Sequence, residues 1–72
     1  GHDCVIGDYF SAMPGSIVSG NVTIGDKVYL GTNSSIKEKV SIVNNVTIGL
    51  NTGIVKNINK EGIYVGANTR IL

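Results

Sequence analysis

The sequence predicts an all-β fold: a parallel β-helix of the hexapeptide kind, wound in six-residue steps into stacked triangular coils. Three rows of residues predict it. Every sixth residue from Ile6 onward is apolar (Ile6, Ala12, Val18, Ile24, Leu30, Ile36, Ile42, Ile48, Ile54). The chain as a whole is 42% hydrophobic, so nine apolar residues in one phase would arise by chance with a probability of about 0.0004. Two residues before these anchors stand Cys4, Phe10, Ser16, Val22, Val28, Ser34, Val40, Val46 and Thr52. Most are small or β-branched, suited to a pleated surface that faces a narrow interior. Three residues after the anchors stand Tyr9, Gly15, Asn21, Lys27, Asn33, Lys39, Asn45, Asn51 and Asn57. Six of those nine are Asn or Gly, the residues that best tolerate positive φ, so the chain is expected to turn a corner every six residues.

Each hexad therefore reads as two inward residues around one outward residue, a very short strand, followed by a corner. Three strands and three corners close an 18-residue coil, and the anchors Ile6 to Ile54 count out three coils. An amphipathic helix is excluded because the apolar period is six rather than 3.6 and β-branched residues dominate. After Ile58 the hexads stop. Asn59-Lys60-Glu61-Gly62 reads as a turn, Ile63-Tyr64-Val65 as a strand that covers the last coil or reaches a neighbour, and Gly66 to Leu72 as a tail. The expected division is a β-helix over residues 1–58 and a C-terminal turn, strand and tail over residues 59–72.

Composition removes several function classes. The chain of 72 residues has a net charge of +1, from six Lys and Arg against five Asp and Glu. Those cations form no dense basic stripe, so a nucleic-acid partner is not expected. No apolar run approaches the ~18 residues of a membrane span, and no membrane partner is expected. One Cys forms no internal disulfide, and one His with one Cys does not complete a structural zinc site, so no metal is expected. A compact globule this short has little core to stabilise it, which leaves stacked repeats and partner chains as the source of stability. The lone free Cys fits a reducing, cytoplasmic setting.

Residues 18 apart fall one above the other, about 4.8 Å apart along the coil axis. One corner column is His2, Gly20, Glu38, Lys56; another is Pro14, Thr32, Leu50; a face column is Ser11, Tyr29, Thr47. His2 thus comes beside a glycine whose amide is approachable. A base next to an open amide donor is the minimum apparatus of acyl transfer: the base takes the proton of the attacking group, and the donor stabilises the developing oxyanion. Asp3, in a corner phase with His2, can hold the imidazole tautomer and stabilise its protonated form. Taken singly, a turn His is more often simply solvated, Asp and Gly are ordinary at turns, and Cys4 reads as a small core residue.

The run His2-Asp3-Cys4-Val5-Ile6-Gly7-Asp8, then Met13-Pro14-Gly15, Ser19-Gly20-Asn21-Val22-Thr23-Ile24-Gly25 and Leu30-Gly31-Thr32-Asn33-Ser34, resembles the C-terminal part of the bacterial hexapeptide-repeat sugar O/N-acetyltransferases. That family includes sialic-acid O-acetyltransferases and nucleotide-amino-sugar N-acetyltransferases. The resemblance implies a left-handed β-helix, a homotrimer, acetyl-CoA held between neighbouring subunits, and a small-molecule sugar acceptor. It implies His2 as general base with Asp3 beside it, Gly20 as the amide that contacts the acetyl carbonyl, and Thr32 and Leu50 as backbone positions along the pantetheine arm. Ser11 stands where members often carry a His that contacts acetyl-CoA. Gly66-Ala67-Asn68-Thr69 stands where Gly-x-Pro-Ala is common. An N-terminal substrate-selecting domain, part of that family's architecture, is expected upstream of this chain.

The expected function is therefore transfer of the acetyl group of acetyl-CoA to an amine or hydroxyl of a nucleotide-linked or sialic-acid-type sugar. The attack is direct, without a covalent enzyme intermediate. Two alternatives stay open at this stage: a non-catalytic trimeric assembly module, and an acetyltransferase for serine or simple sugars.

Overall fold

The computed structural model describes residues 3–66 and 70–71. Among the described residues eleven short strands follow one another and there is no helix. β1 (Val5–Ile6), β4 (Thr23–Ile24) and β7 (Ser41–Ile42) form one face of the solenoid. β2 (Ser11–Ala12), β5 (Tyr29–Leu30), β8 (Val46–Ile48), β10 (Gly62–Val65) and β11 (Arg70–Ile71) form the second. β3 (Ile17–Val18), β6 (Ser35–Ile36) and β9 (Gly53–Ile54) form the third. Pairing from one coil to the next is parallel and the Cα partners are 18 apart, as in Val5 with Thr23 and Ile36 with Ile54. The expected three-sided coil is therefore the observed one.

The corners explain the winding. Tyr9, Asn21, Lys27, Asn33, Lys39, Asn45 and Asn51 all take φ between 52° and 64°, and Gly15 takes 77°. With the corner turned, strand amides point along the axis. The N–H of Val5 donates to Val22 at 3.0 Å, Gly7 to Ile24 at 2.8 Å and Thr23 to Val40 at 3.0 Å. The corner amides point the other way: Lys27 donates to Asp8, Asn45 to Asp26 and Asn51 to Thr32, each at 2.8 Å. Every coil is thus bonded to its neighbours at both its sides and its corners, which satisfies backbone groups that the narrow interior could not hydrate.

The core is the stack of anchors and the row two residues before them. Ile24, Leu30, Ile36, Ile42, Ile48 and Ile54 are buried, together with Val22, Val28, Val40 and Val46. Ile6, the anchor of the first coil, is 45% exposed.

Beyond Ile54 the 18-residue register does not continue. Ile58 bridges Ile42, and β10 pairs with β8 as Gly62 with Val46 and Tyr64 with Ile48, both at a separation of 16. The corner at Val55–Asn57 is two residues shorter than the one below it. The column that placed Lys56 above Glu38 accordingly fails at its last member. Asn57 takes no positive φ; its side-chain Oδ1 instead accepts the Ser41 N–H at 2.8 Å. The segment read as a strand at Ile63-Tyr64-Val65 lies on the second face, over the last coil. Tyr64 is buried and its hydroxyl donates to the Lys60 carbonyl at 2.7 Å.

Candidate functional site

Three corner edges run along the solenoid, and they differ in what happens to one amide per turn. On the edge between the first and second faces, Asp8, Asp26 and Asn44 stack. The Asp8 N–H donates to Asp26 Oδ1 at 2.8 Å and the Asp26 N–H to Asn44 Oδ1 at 2.7 Å. Asp26 and Asn44 thus each cap the amide one coil below, which closes the amides of Asp8 and Asp26 to other acceptors; the Asn44 N–H meets no acceptor among the described residues.

On the other two edges the amides in the corresponding positions, those of Thr32, Leu50 and Gly20, carry no such cap. Between the second and third faces lie Pro14, Thr32 and Leu50. Both Thr32 and Leu50 are exposed, Leu50 at 68%. Among the described residues nothing accepts the N–H of either. Between the third and first faces lies Gly20, half-buried, whose carbonyl accepts the Lys39 N–H at 3.0 Å. Its own N–H meets no acceptor among the described residues. The preceding carbonyl, that of Ser19, accepts a hydrogen bond from Cys4 Sγ at 3.2 Å. In a planar trans peptide the C=O and N–H point in opposite directions, so the Cys4 contact turns the Gly20 amide away from Cys4. The Cys read as core is half-buried and has this directional contact as well.

The sequence-predicted residues fall as follows. Asp3 is exposed at φ 57°, in the same column as Asn21 and Lys39, beside the Gly20 column. Gly20 and Asp3 therefore share an edge. Thr32 and Leu50 share the next edge, across the third face. Ser11 is exposed on β2, in register with Tyr29, on the second face. His2, the expected base, and the Ala67-Asn68-Thr69 part of the tail lie outside the described residues. Among the described residues no group of three or more His, Cys, Asp or Glu side chains could hold a metal ion. Among the described residues no helix is long and apolar enough to cross a membrane.

A parallel solenoid with three short faces, six-residue steps and two edges of outward amides defines the class of hexapeptide-repeat β-helix proteins. A family model, bacterial transferase hexapeptide (six repeats), matches residues 3–38, and the chain belongs to that family.

Several proteins are similar. UDP-3-O-acylglucosamine N-acyltransferase 1 of Sulfurimonas denitrificans is 33% identical over 63 residues, 88% of this chain and 20% of that protein. GDP-perosamine N-acetyltransferase of Escherichia coli O157:H7 is 46% identical over 39 residues, 54% of this chain and 18% of that protein. Among solved structures, the acetyltransferase domain of PglB from Neisseria gonorrhoeae FA1090 in complex with acetyl coenzyme A superposes with a TM-score of 0.93 at 28% identity. That match covers 99% of this chain and 35% of the PglB chain. The chain spans about a fifth of the length of the curated relatives it matches.

Proposed function

We propose that this chain is the acetyl-CoA-binding part of an acetyltransferase that acetylates an amine of a nucleotide-linked sugar. The observation that carries this reading is the asymmetry of the edges. Amides at Gly20, Thr32 and Leu50 are turned outward and uncapped, whereas those at Asp8 and Asp26 are closed by their own stack. A row of outward donors suits a ligand with several carbonyl acceptors along an extended arm, which is the chemistry of pantetheine. The N-acyl- and N-acetyltransferases among its relatives, and the acetyl coenzyme A bound by the PglB domain, support the same reading.

Acetyl-CoA, when bound, supplies an activated thioester. Thr32 and Leu50 would hold its arm, and the Gly20 N–H would donate to the acetyl oxygen as negative charge develops there. His2 takes the proton of the acceptor amine as its nitrogen attacks, and returns it to the departing thiolate; Asp3 keeps the imidazole oriented. Ser11 would offer a hydroxyl at the position where the resemblance implies an imidazole in other members. Exposed Val5, Ile17, Tyr29 and Ile63 on the outer faces support assembly with further copies, read as a homotrimer, and a cytoplasmic setting is part of the same proposal.

Two measurements test the reading in the full-length protein. His2→Ala lowers kcat by about 10²-fold, the scale usual for a general base; turnover equal to the parent's ends the proposal for His2. Acetyl-CoA at 100 times its Kd stabilises the fold by about 2.7 kcal/mol. A melting temperature that acetyl-CoA leaves unmoved removes the ligand and with it the enzyme, leaving an assembly module.

A further inference from the structure

We propose that Ser34 is a positioning residue that sets the direction of both outward amides on the second edge, those of Thr32 and Leu50. The inference rests on the reading of these amides as ligand donors, and it assigns them a buried support.

Ser34 is fully buried, in the row two residues before the anchor Ile36. Its backbone N–H donates to the Gly31 carbonyl at 3.2 Å. Its Oγ donates to the Gly49 carbonyl at 2.5 Å and accepts the Thr52 N–H at 3.1 Å. Gly31 C=O and Thr32 N–H belong to one planar peptide unit, and Gly49 C=O and Leu50 N–H to another. Holding both carbonyls toward the buried serine turns both N–H groups away from it, to the outside. One side chain and its own amide thereby orient two donors in successive coils.

The neighbouring residues reinforce the arrangement. A Cβ on Gly31 would lie 2.7 Å from the Gly49 carbonyl carbon and 2.8 Å from the Leu50 nitrogen, so the two coils approach here as closely as backbone allows. Thr52, also buried, donates from Oγ1 to the Leu50 carbonyl at 3.1 Å, fixing the far side of the same residue. The hydroxyls occur in one column only, Ser16, Ser34 and Thr52, where the other two columns of that row are Cys4, Val22, Val40 and Phe10, Val28, Val46. A core made for burial alone would have no reason to place its hydroxyls under one edge and not the others.

The test is a titration of the full-length protein with acetyl-CoA, followed by amide resonances and by calorimetry, in the parent and in Ser34→Ala, Ser34→Val and Ser34→Thr. In the parent, the Thr32 and Leu50 amide resonances shift on titration. Ser34→Ala and Ser34→Val, which lack the hydroxyl, bind acetyl-CoA about tenfold more weakly, the scale of one lost hydrogen bond. Ser34→Thr, which keeps Oγ, restores binding, and kcat at saturating acetyl-CoA stays near the parent's in every variant that folds.

A parent that binds acetyl-CoA with the Thr32 and Leu50 resonances unmoved overturns the inference and leaves the proposed function standing. So does equal affinity in the parent and the two hydroxyl-free variants. A parent that binds no acetyl-CoA overturns the proposed function itself. Should the hydroxyl-free variants fail to fold, the parent's resonances and the Ser34→Thr affinity decide alone: shifted resonances with retained affinity support the inference, and either one failing overturns it.

Discussion

A tyrosine at φ 60° pays a backbone cost that asparagine or glycine would not, because Cβ crowds the neighbouring carbonyl in the left-handed region. Tyr9 stands there with its side chain 80% exposed, so little packing offsets the strain. Lys27 and Lys39 are in the same position, at φ 57° and 64°. These residues adopt the corner because the hexad on either side demands it, through a paired strand before and after. Tyr9→Asn is therefore expected to stabilise the fold by about 1 kcal/mol, read as a rise in the urea midpoint at unchanged slope. A midpoint that falls would mean the exposed ring makes a contact whose loss outweighs the strain.

At the scale of the element, two glycines with ordinary negative φ separate steric from conformational roles. Gly31 has no room for a methyl group, its Cβ direction being filled by the Gly49–Leu50 backbone, while the Cβ direction of Gly53 meets nothing within 4 Å. Gly31→Ala forces the coils apart and should cost about 1–3 kcal/mol. Gly53→Ala should be neutral or stabilising by up to about 1 kcal/mol, through the reduced entropy of the unfolded chain. Chemical denaturation of the two variants side by side checks the contrast, and equal losses would refute it.

The strands themselves were legible from the anchor row, because burial at a fixed period leaves a mark at every repeat. The corners were legible even at Tyr9, Lys27 and Lys39, where residue type argues against positive φ and only the phase argues for it. What was not legible lies where the period breaks. Asn57 carried the right residue in the right phase, yet the coil closes two residues early, and β10 pairs with β8 at a separation of 16, Tyr64 over Ile48. The edges show the same limit. Spacing placed Thr32 and Leu50 in one column and Gly20 in another, but not the state of their amides. That depends on whether an Asp or Asn one coil on reaches back, as at Asp8 and Asp26, or a buried hydroxyl pulls the preceding carbonyl inward, as Ser34 does. The Ser16, Ser34, Thr52 column was a signal in the sequence that a reading for size alone passed over.

For the whole molecule, stacking makes stability a sum of coil and interface contributions, with each coil supported by the one on either side. The first coil of this chain has a neighbour on one side only among the described residues. Ile6 is 45% exposed where Ile36 is fully buried. Ile36→Ala should cost about 2–5 kcal/mol, as expected for a buried aliphatic cut back to a methyl group. Ile6→Ala should cost less than half as much, since much of its surface already meets water. Amide exchange tests the same gradient without mutation. The Val5, Ser11 and Ile17 amides bond forward to the second coil at 3.0, 3.0 and 2.8 Å, yet that coil can release the first while keeping its bonds to the third. In the 72-residue chain these three amides should therefore exchange through local opening, faster than those of Thr23 and Ser35. Uniform protection across all three coils would mean that the solenoid opens as one unit, or that another chain covers the end where Ile6 stands open.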